Sequence, residues 1–234
     1  MMDPIKAVLV FCATVFFVLS PALTGGFGGY DATQFPVPQD DPPVQPAGYA
    51  FAIWGLIYLW LLISAGVGMF ARGTEPAWEP ARLPLILSLG PGAAWIGVAY
   101  TSPIWASILL WWMLATAIWA LLRTPLVDRW TYQAPVAVYA GWLTAAGWVS
   151  VGLLGAGYGI GPGETAWAVI ALVGALVTGA AVQIALDRAP EYGITLIWAL
   201  VGLIVANATA APLVAFAALG GAMLMAVLAF RAAT

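Results

Sequence analysis

Histidine is absent from the 234 residues, and there is one cysteine, Cys12. Without histidine, imidazole acid–base catalysis, histidine-ligated haem and most transition-metal sites are excluded. With one cysteine there is no internal disulfide and no cysteine cluster for a metal. Cys12 lies in an apolar run and reads as a small buried or lipid-facing hydrophobe. Charge is scarce too: 7% of residues are Asp, Glu, Lys or Arg, against about 25% in an ordinary soluble domain. So few charges cannot cover a soluble surface, which excludes a cytosolic enzyme, a nucleic-acid binder and a disordered chain. Charge runs are missing, and a net charge of −3 is too small to imply a basic partner.

What is present is apolar. Hydrophobic residues make up 63% of the chain, and the mean hydropathy is +0.98. A spanning helix needs about 20 mostly apolar residues. Eight stretches qualify, at roughly 5–23, 50–70, 83–100, 103–122, 134–154, 165–186, 193–208 and 212–230. The splits before Pro103 and Pro212 rest on prolines suited to the first turn of a helix. The expected fold is therefore an all-α polytopic membrane bundle of about eight spans. The first stretch has features of a signal peptide, but its length and the lack of a clear cleavage pattern favour a retained helix.

The cations test this topology. Lys6, Arg72, Arg82, Arg123, Arg129, Arg188 and Arg231 all fall on one side if eight spans alternate. By the positive-inside rule that side is cytoplasmic, with both termini inside. The one long outer connection, residues 24–49, is rich in Gly and Pro and holds Asp31, Asp40 and Asp41. It reads as a lid over the bundle or as a solvated connector. The last three spans are poorer in Trp than the second to fifth. That suggests two parts, residues 1–160 as a five-helix core and 161–234 as a three-helix extension, with no soluble linker between them.

No span core holds an Asp, Glu, Lys or Arg, and such groups usually mark ion or proton paths. Asn207 and Gln183 are the strongest polar side chains at depth, suited to hydrogen bonding a neighbouring helix. The interior is aromatic instead, from 13 Trp, 8 Tyr and 9 Phe. Trp78, Trp130 and Tyr132 suit an interfacial belt. Phe51, Trp54 and Tyr58 share one face of the second span, and Tyr139 and Trp142 one face of the fifth. Trp95 lies within the third, and Trp105, Trp112 and Trp119 form a heptad stripe on the fourth. Such walls suit a flat hydrophobic ligand, and equally suit helix packing or lipid contact. Ala137, Gly141 and Ala145 repeat every four residues, a small face for close helix approach within the bundle or between copies. Gly220 and Gly221 could act likewise.

Residues 42–58, PPVQPAGYAFAIWGLIY, resemble the signature of the TspO/MBR family, the tryptophan-rich sensory and translocator proteins. Phe51, Trp54 and Tyr58 occupy its F-x-x-W-x-x-x-Y positions. Pro135, Tyr139, Trp142 and Ala145 are similar to its last-helix pattern, with extra residues between Pro and Tyr. Gly92–Trp95 reads GAAW, with Gly92 where the family usually has Asn, and the asparagines that close the family's last helix are missing after Trp148. The resemblance covers the first five spans. It implies a five-helix bundle, often dimeric, whose pocket opens toward the long loop and binds tetrapyrroles or sterols. It also implies a bacterial inner-membrane location and a role in sensing. Carried over, the ligand-binding residues are Phe51, Trp54, Tyr58, Trp95, Tyr139 and Trp142, with no catalytic or metal-binding residue.

The expected function is a membrane receptor for a planar hydrophobic ligand. Alternatives are an accessory subunit of a larger, pigment-containing membrane complex, and a transporter of porphyrin or lipid-like molecules. Tryptophan-dependent porphyrin breakdown is the one enzymatic reading. No cofactor is required; a bound porphyrin, carotenoid or lipid fits the composition. Expected partners are lipids, a hydrophobic small molecule, and a second copy or a larger membrane complex, with no nucleic acid.

Overall fold

A computed structural model describes residues 4–234. Among the described residues, nine α-helices build eight spans: α1 Ile5–Thr24, α2 Ile53–Phe70, α3 Glu79–Gly92, α4 Trp95–Thr101, α5 Pro103–Arg123, α6 Ala134–Gly157, α7 Glu164–Leu186, α8 Glu191–Asn207 and α9 Pro212–Arg231. The described residues contain no strand. Seven spans are long and apolar enough to cross a membrane, and α8 is a shorter apolar helix. At 17 residues α8 is about 25 Å long, short of a ~30 Å hydrocarbon core. The chain is thus an integral membrane helix bundle.

The spans begin and end where local chemistry dictates. α3 and α4 form one span interrupted at Ala93–Ala94. Pro91 lacks the N–H that would continue the ladder, and Ala94 N–H bonds back to Pro91 O in a tighter turn. Ser102 adopts an extended conformation, and its hydroxyl accepts from Trp105 N–H, so α5 starts at once with Pro103 in its first turn. Pro212 starts α9 in the same way. A π-helical turn, Arg129–Gln133, leads into α6.

α6 is the axis of the molecule. It is buried on all faces, as a uniformly apolar helix must be, and packs against α2, α5, α7 and α8. Both α7 and α8 therefore lie directly on the fifth span. The small face fits this role. A Cβ on Gly141 would stand 2.6 Å from Tyr192 O and 3.0 Å from Thr195 Cβ on α8. Ala137 and Ala145 are buried beside it. Gly141 therefore serves packing within the bundle. Gly221 also meets α7, at Leu176, whereas Gly220 faces open space. Trp105, Trp112 and Trp119 point outward, 65%, 50% and 41% exposed, which places this stripe on the outer surface of the bundle.

One end of the bundle gathers the cations. Lys6 pairs with Glu79 at 2.5 Å, Arg82 with Glu79 at 3.0 Å, and Arg129 with Glu191 at 2.6 Å. Glu191 opens α8, where the helix dipole favours a carboxylate. Asp128, in a left-handed conformation, accepts from Arg72 Nε at 2.9 Å and from Trp78 Nε1 at 3.0 Å. Trp78 stacks on Tyr132 at 4.0 Å between ring centres. The Arg72 hydrogen bond, then that of Trp78, hold the Asp128 carboxyl below the ordinary carboxylate range. A depressed folded value stabilises the fold above the unfolded value of about 3.9. That contribution is lost as pH falls through the folded value. Melting curves from pH 7 to 3 are expected to show an acid loss of stability that shrinks in Asp128→Asn. Asp128→Ala, which also leaves the buried Trp78 N–H without an acceptor, is expected to cost about 1–3 kcal/mol at pH 7.

Candidate functional site

The long connection is a docked cover. Asp31 caps a short 3-10 turn, Ala32–Gln34, and exchanges hydrogen bonds with it as a capping box. Gln34 Nε2 donates to Ala99 O at 2.9 Å, and Val37 N–H to Gly157 O at 2.9 Å. Gln39 Nε2 reaches Glu164 Oε1 at 3.3 Å. On α8, Gly202 O accepts from Ala47 N–H at 3.0 Å, Asn207 Nδ2 donates to Pro43 O at 2.9 Å, and Trp198 Nε1 donates to Ala50 O at 2.9 Å. Gly202 permits this approach, because a Cβ there would meet Ala50 Cβ at 2.9 Å and Pro46 Cβ at 3.0 Å. Irregular backbone next to a spanning helix is tolerated when it is buried in protein.

Asn207 thus holds the loop, where the sequence suggested a helix–helix bond. Gln183 holds the turn between α7 and α8, donating to Arg188 O and accepting from Gly193 N–H. Asn207→Leu is expected to speed hydrogen exchange at Ala47 N–H about fivefold, from the loss of about 1 kcal/mol. Exchange mass spectrometry of the loop peptide measures it.

Beneath this cover lie two adjoining cavities, of about 90 Å³ and about 130 Å³. Phe27, Phe51, Trp54, Trp95 and Leu110 line both and partition them. Five of the six ligand candidates are at these walls. Phe51, Trp54 and Trp95 belong to the partition, Tyr58 lines the 130 Å³ cavity, and Trp142 lines the 90 Å³ cavity. Trp54 stacks on Tyr58 at 5.3 Å, and Trp142 meets Phe51 edge-on at 5.8 Å and Trp54 at 6.2 Å. Trp95 is fixed by its Nε1 donating to Ala106 O at 2.9 Å. Tyr139 lines neither cavity. It is fully buried, with its hydroxyl 2.9 Å from Ser88 Oγ. Ser88 donates its proton to Met113 O, so Tyr139 is the donor in that pair, and its ring packs edge-on against Phe17.

Several walls have no counterpart in the sequence reading. Phe17 of α1 packs against Trp54, Tyr58 and Tyr139; its neighbour Phe16 is 64% exposed, and sequence alone does not orient the pair. Phe27 and Tyr30 come from the loop and stack edge-on with each other at 5.1 Å. The greater departure is in the 90 Å³ cavity. The pocket expected from the second, third and fifth spans also has walls from α7 and α8: Ala168, Ala171, Ala175, Leu196, Ala199 and Leu203. Small alanines leave that space, and their even distribution along apolar helices gave no sign of it.

Chemically the site is a hydrophobic enclosure. Among the described residues no Asp, Glu, Lys or Arg lines either cavity, so these walls offer no carboxylate or amine as acid or base. One buried donor at the 90 Å³ cavity has no hydrogen-bond partner, Trp142 Nε1. Ser150, also on that wall, is satisfied by donating to Gly147 O.

A family model described as TSPO-like protein matches residues 6–231. The match spans all eight helical segments, including the last three, which the motif resemblance left outside. No curated protein and no solved structure matches the chain.

Proposed function

The chain belongs to the TSPO-like protein family, and from that premise we propose that it is a membrane receptor or sensor for a planar hydrophobic ligand, tetrapyrrole-like or sterol-like. The observation that carries this reading is the ring cluster of Phe51, Trp54, Tyr58, Trp95 and Trp142 around two cavities under a docked loop. Aromatic faces supply large contact area and offset stacking to a conjugated ligand. The cationic end of the bundle supports cytoplasmic termini, which puts the loop and the ligand entrance outside.

The cavities are smaller than the roughly 300–1,000 Å³ of drug-sized sites, so a tetrapyrrole enters by parting the partition. The two edge-on contacts of Trp142 are worth about 0.5–1.5 kcal/mol each. Every 100 Å² of ligand surface buried returns about 2.5 kcal/mol, so opening is offset by a modest contact area.

The test is a titration of the purified protein with protoporphyrin IX, followed by tryptophan fluorescence, beside an absorbance scan of the untreated preparation. The proposal expects saturable quenching at micromolar or lower concentration. Absence of saturable quenching overturns it. In that case the outward Trp105, Trp112 and Trp119 stripe favours an accessory subunit that contacts lipid, pigment or partner helices, and co-purifying chains or pigment become the evidence to seek.

A further inference from the structure

The 90 Å³ cavity differs from its neighbour in two ways. Its far wall comes from α7 and α8, so the last three helices are part of it, and it has an orphaned donor. Trp142 is 3% exposed, and its Nε1 meets no acceptor. An indole N–H only donates, and a buried donor without a partner is costly enough to be rare. Of the other three Trp at the cavities, two have their N–H satisfied, and the third, Trp54, is only half-buried. Trp95 donates to Ala106 O, and Trp148 donates to Thr178 Oγ1 at 3.0 Å. The remaining walls near α7 and α8 are alanine and leucine, which favour an apolar occupant over water.

We infer that the chamber between α6, α7 and α8 takes a small apolar molecule carrying a hydrogen-bond acceptor such as a carbonyl or ether oxygen, which Trp142 Nε1 reads. The inference rests on the receptor reading for its apolar ligand and adds the polar contact that orients it. The alanines set the size of the occupant: Ala175 and Ala199, 8% and 7% exposed, face the chamber from α7 and α8. The last three helices thereby act as its specificity wall.

The experiment uses the full chain in detergent with 15N-labelled tryptophan, and assigns the Trp142 indole signal by its loss in Trp142→Phe. The probes are acetophenone and ethylbenzene, which share a skeleton and differ at the carbonyl. Acetophenone is expected to move the Trp142 N–H signal downfield saturably, and ethylbenzene to bind without that shift. Trp142→Phe is expected to weaken acetophenone about fivefold and ethylbenzene less than about twofold. Ala199→Leu and Ala175→Leu, each filling the chamber from its far wall, are expected to reduce binding of both probes. An unmoved Trp142 signal with acetophenone, an equal shift with ethylbenzene, or full binding in both leucine variants overturns the inference. Protoporphyrin quenching in the same preparations separates the two proposals. Intact quenching without the acetophenone shift strikes this site alone, and the shift without quenching strikes the tetrapyrrole reading alone.

Discussion

Gly141→Leu is expected to prevent α6 and α8 from packing, and the milder Gly141→Ala to destabilise the protein by about 1–3 kcal/mol. The obstacle is Tyr192 O, 2.6 Å from where a Cβ would stand. A backbone carbonyl at a helix start cannot rotate aside as a side chain can, and Tyr192 is pinned further by its hydroxyl, 2.8 Å from Thr144 Oγ1 on α6. Relief requires α8 to move, and α8 carries the loop anchors at Gly202 and Asn207. Gly220→Ala is the matched control. It faces open space on α9, so alanine there is expected to be neutral or stabilising by up to about 1 kcal/mol through helix propensity. Thermal unfolding in detergent, read by the loss of the monodisperse elution peak, measures both. Equal melting of Gly141→Ala and wild type would contradict so close an α6–α8 contact.

The second large effect concerns ligand affinity. Trp54→Ala and Trp142→Ala are each expected to weaken protoporphyrin binding by about 1 kcal/mol or more, roughly fivefold, through lost stacking area. Trp54 lines both cavities and Trp142 one, so Trp54 is expected to cost more. The two rings touch at 6.2 Å, so their effects are expected to couple and not to add. Folding must be checked in parallel, because truncating a buried Trp costs about 3–5 kcal/mol of stability. Unchanged affinity in a folded double variant would remove these rings from the binding site.

Most of the span pattern was legible because apolar length, proline starts and one-sided cations are strong signals. Pro103 and Pro212 start helices as expected, and Lys6, Arg72, Arg82 and Arg129 meet acidic partners at one end. The break at Ala93–Ala94 was hidden, because a span reads the same whether or not its middle is kinked. The site was half legible. Phe51, Trp54 and Tyr58 could be placed on one face by spacing alone, and the structure keeps them together. Tyr139 shares the face of Trp142 by the same spacing, yet its hydroxyl is drawn to Ser88 and its ring turns to Phe17, away from both cavities. Phe27, Tyr30 and the alanines of α7 and α8 were invisible for a different reason. They reach the site through long-range docking, the loop by hydrogen bonds to α4, α6 and α8, and the helices by packing on α6. Neither leaves a local pattern. The family motif, short and confined to the first five spans, concealed the part that the last three play.

The most direct test of the central claim, that a hydrophobic ligand sits on the inner aromatic wall, is the dissociation constant for protoporphyrin IX in Trp54→Ala measured beside Trp119→Ala. Trp54 lines both cavities; Trp119 is 41% exposed on the outer face of α5. The account predicts a loss of about fivefold or more for Trp54→Ala and an unchanged constant for Trp119→Ala. Equal constants in both variants, or a loss confined to Trp119→Ala, would contradict it.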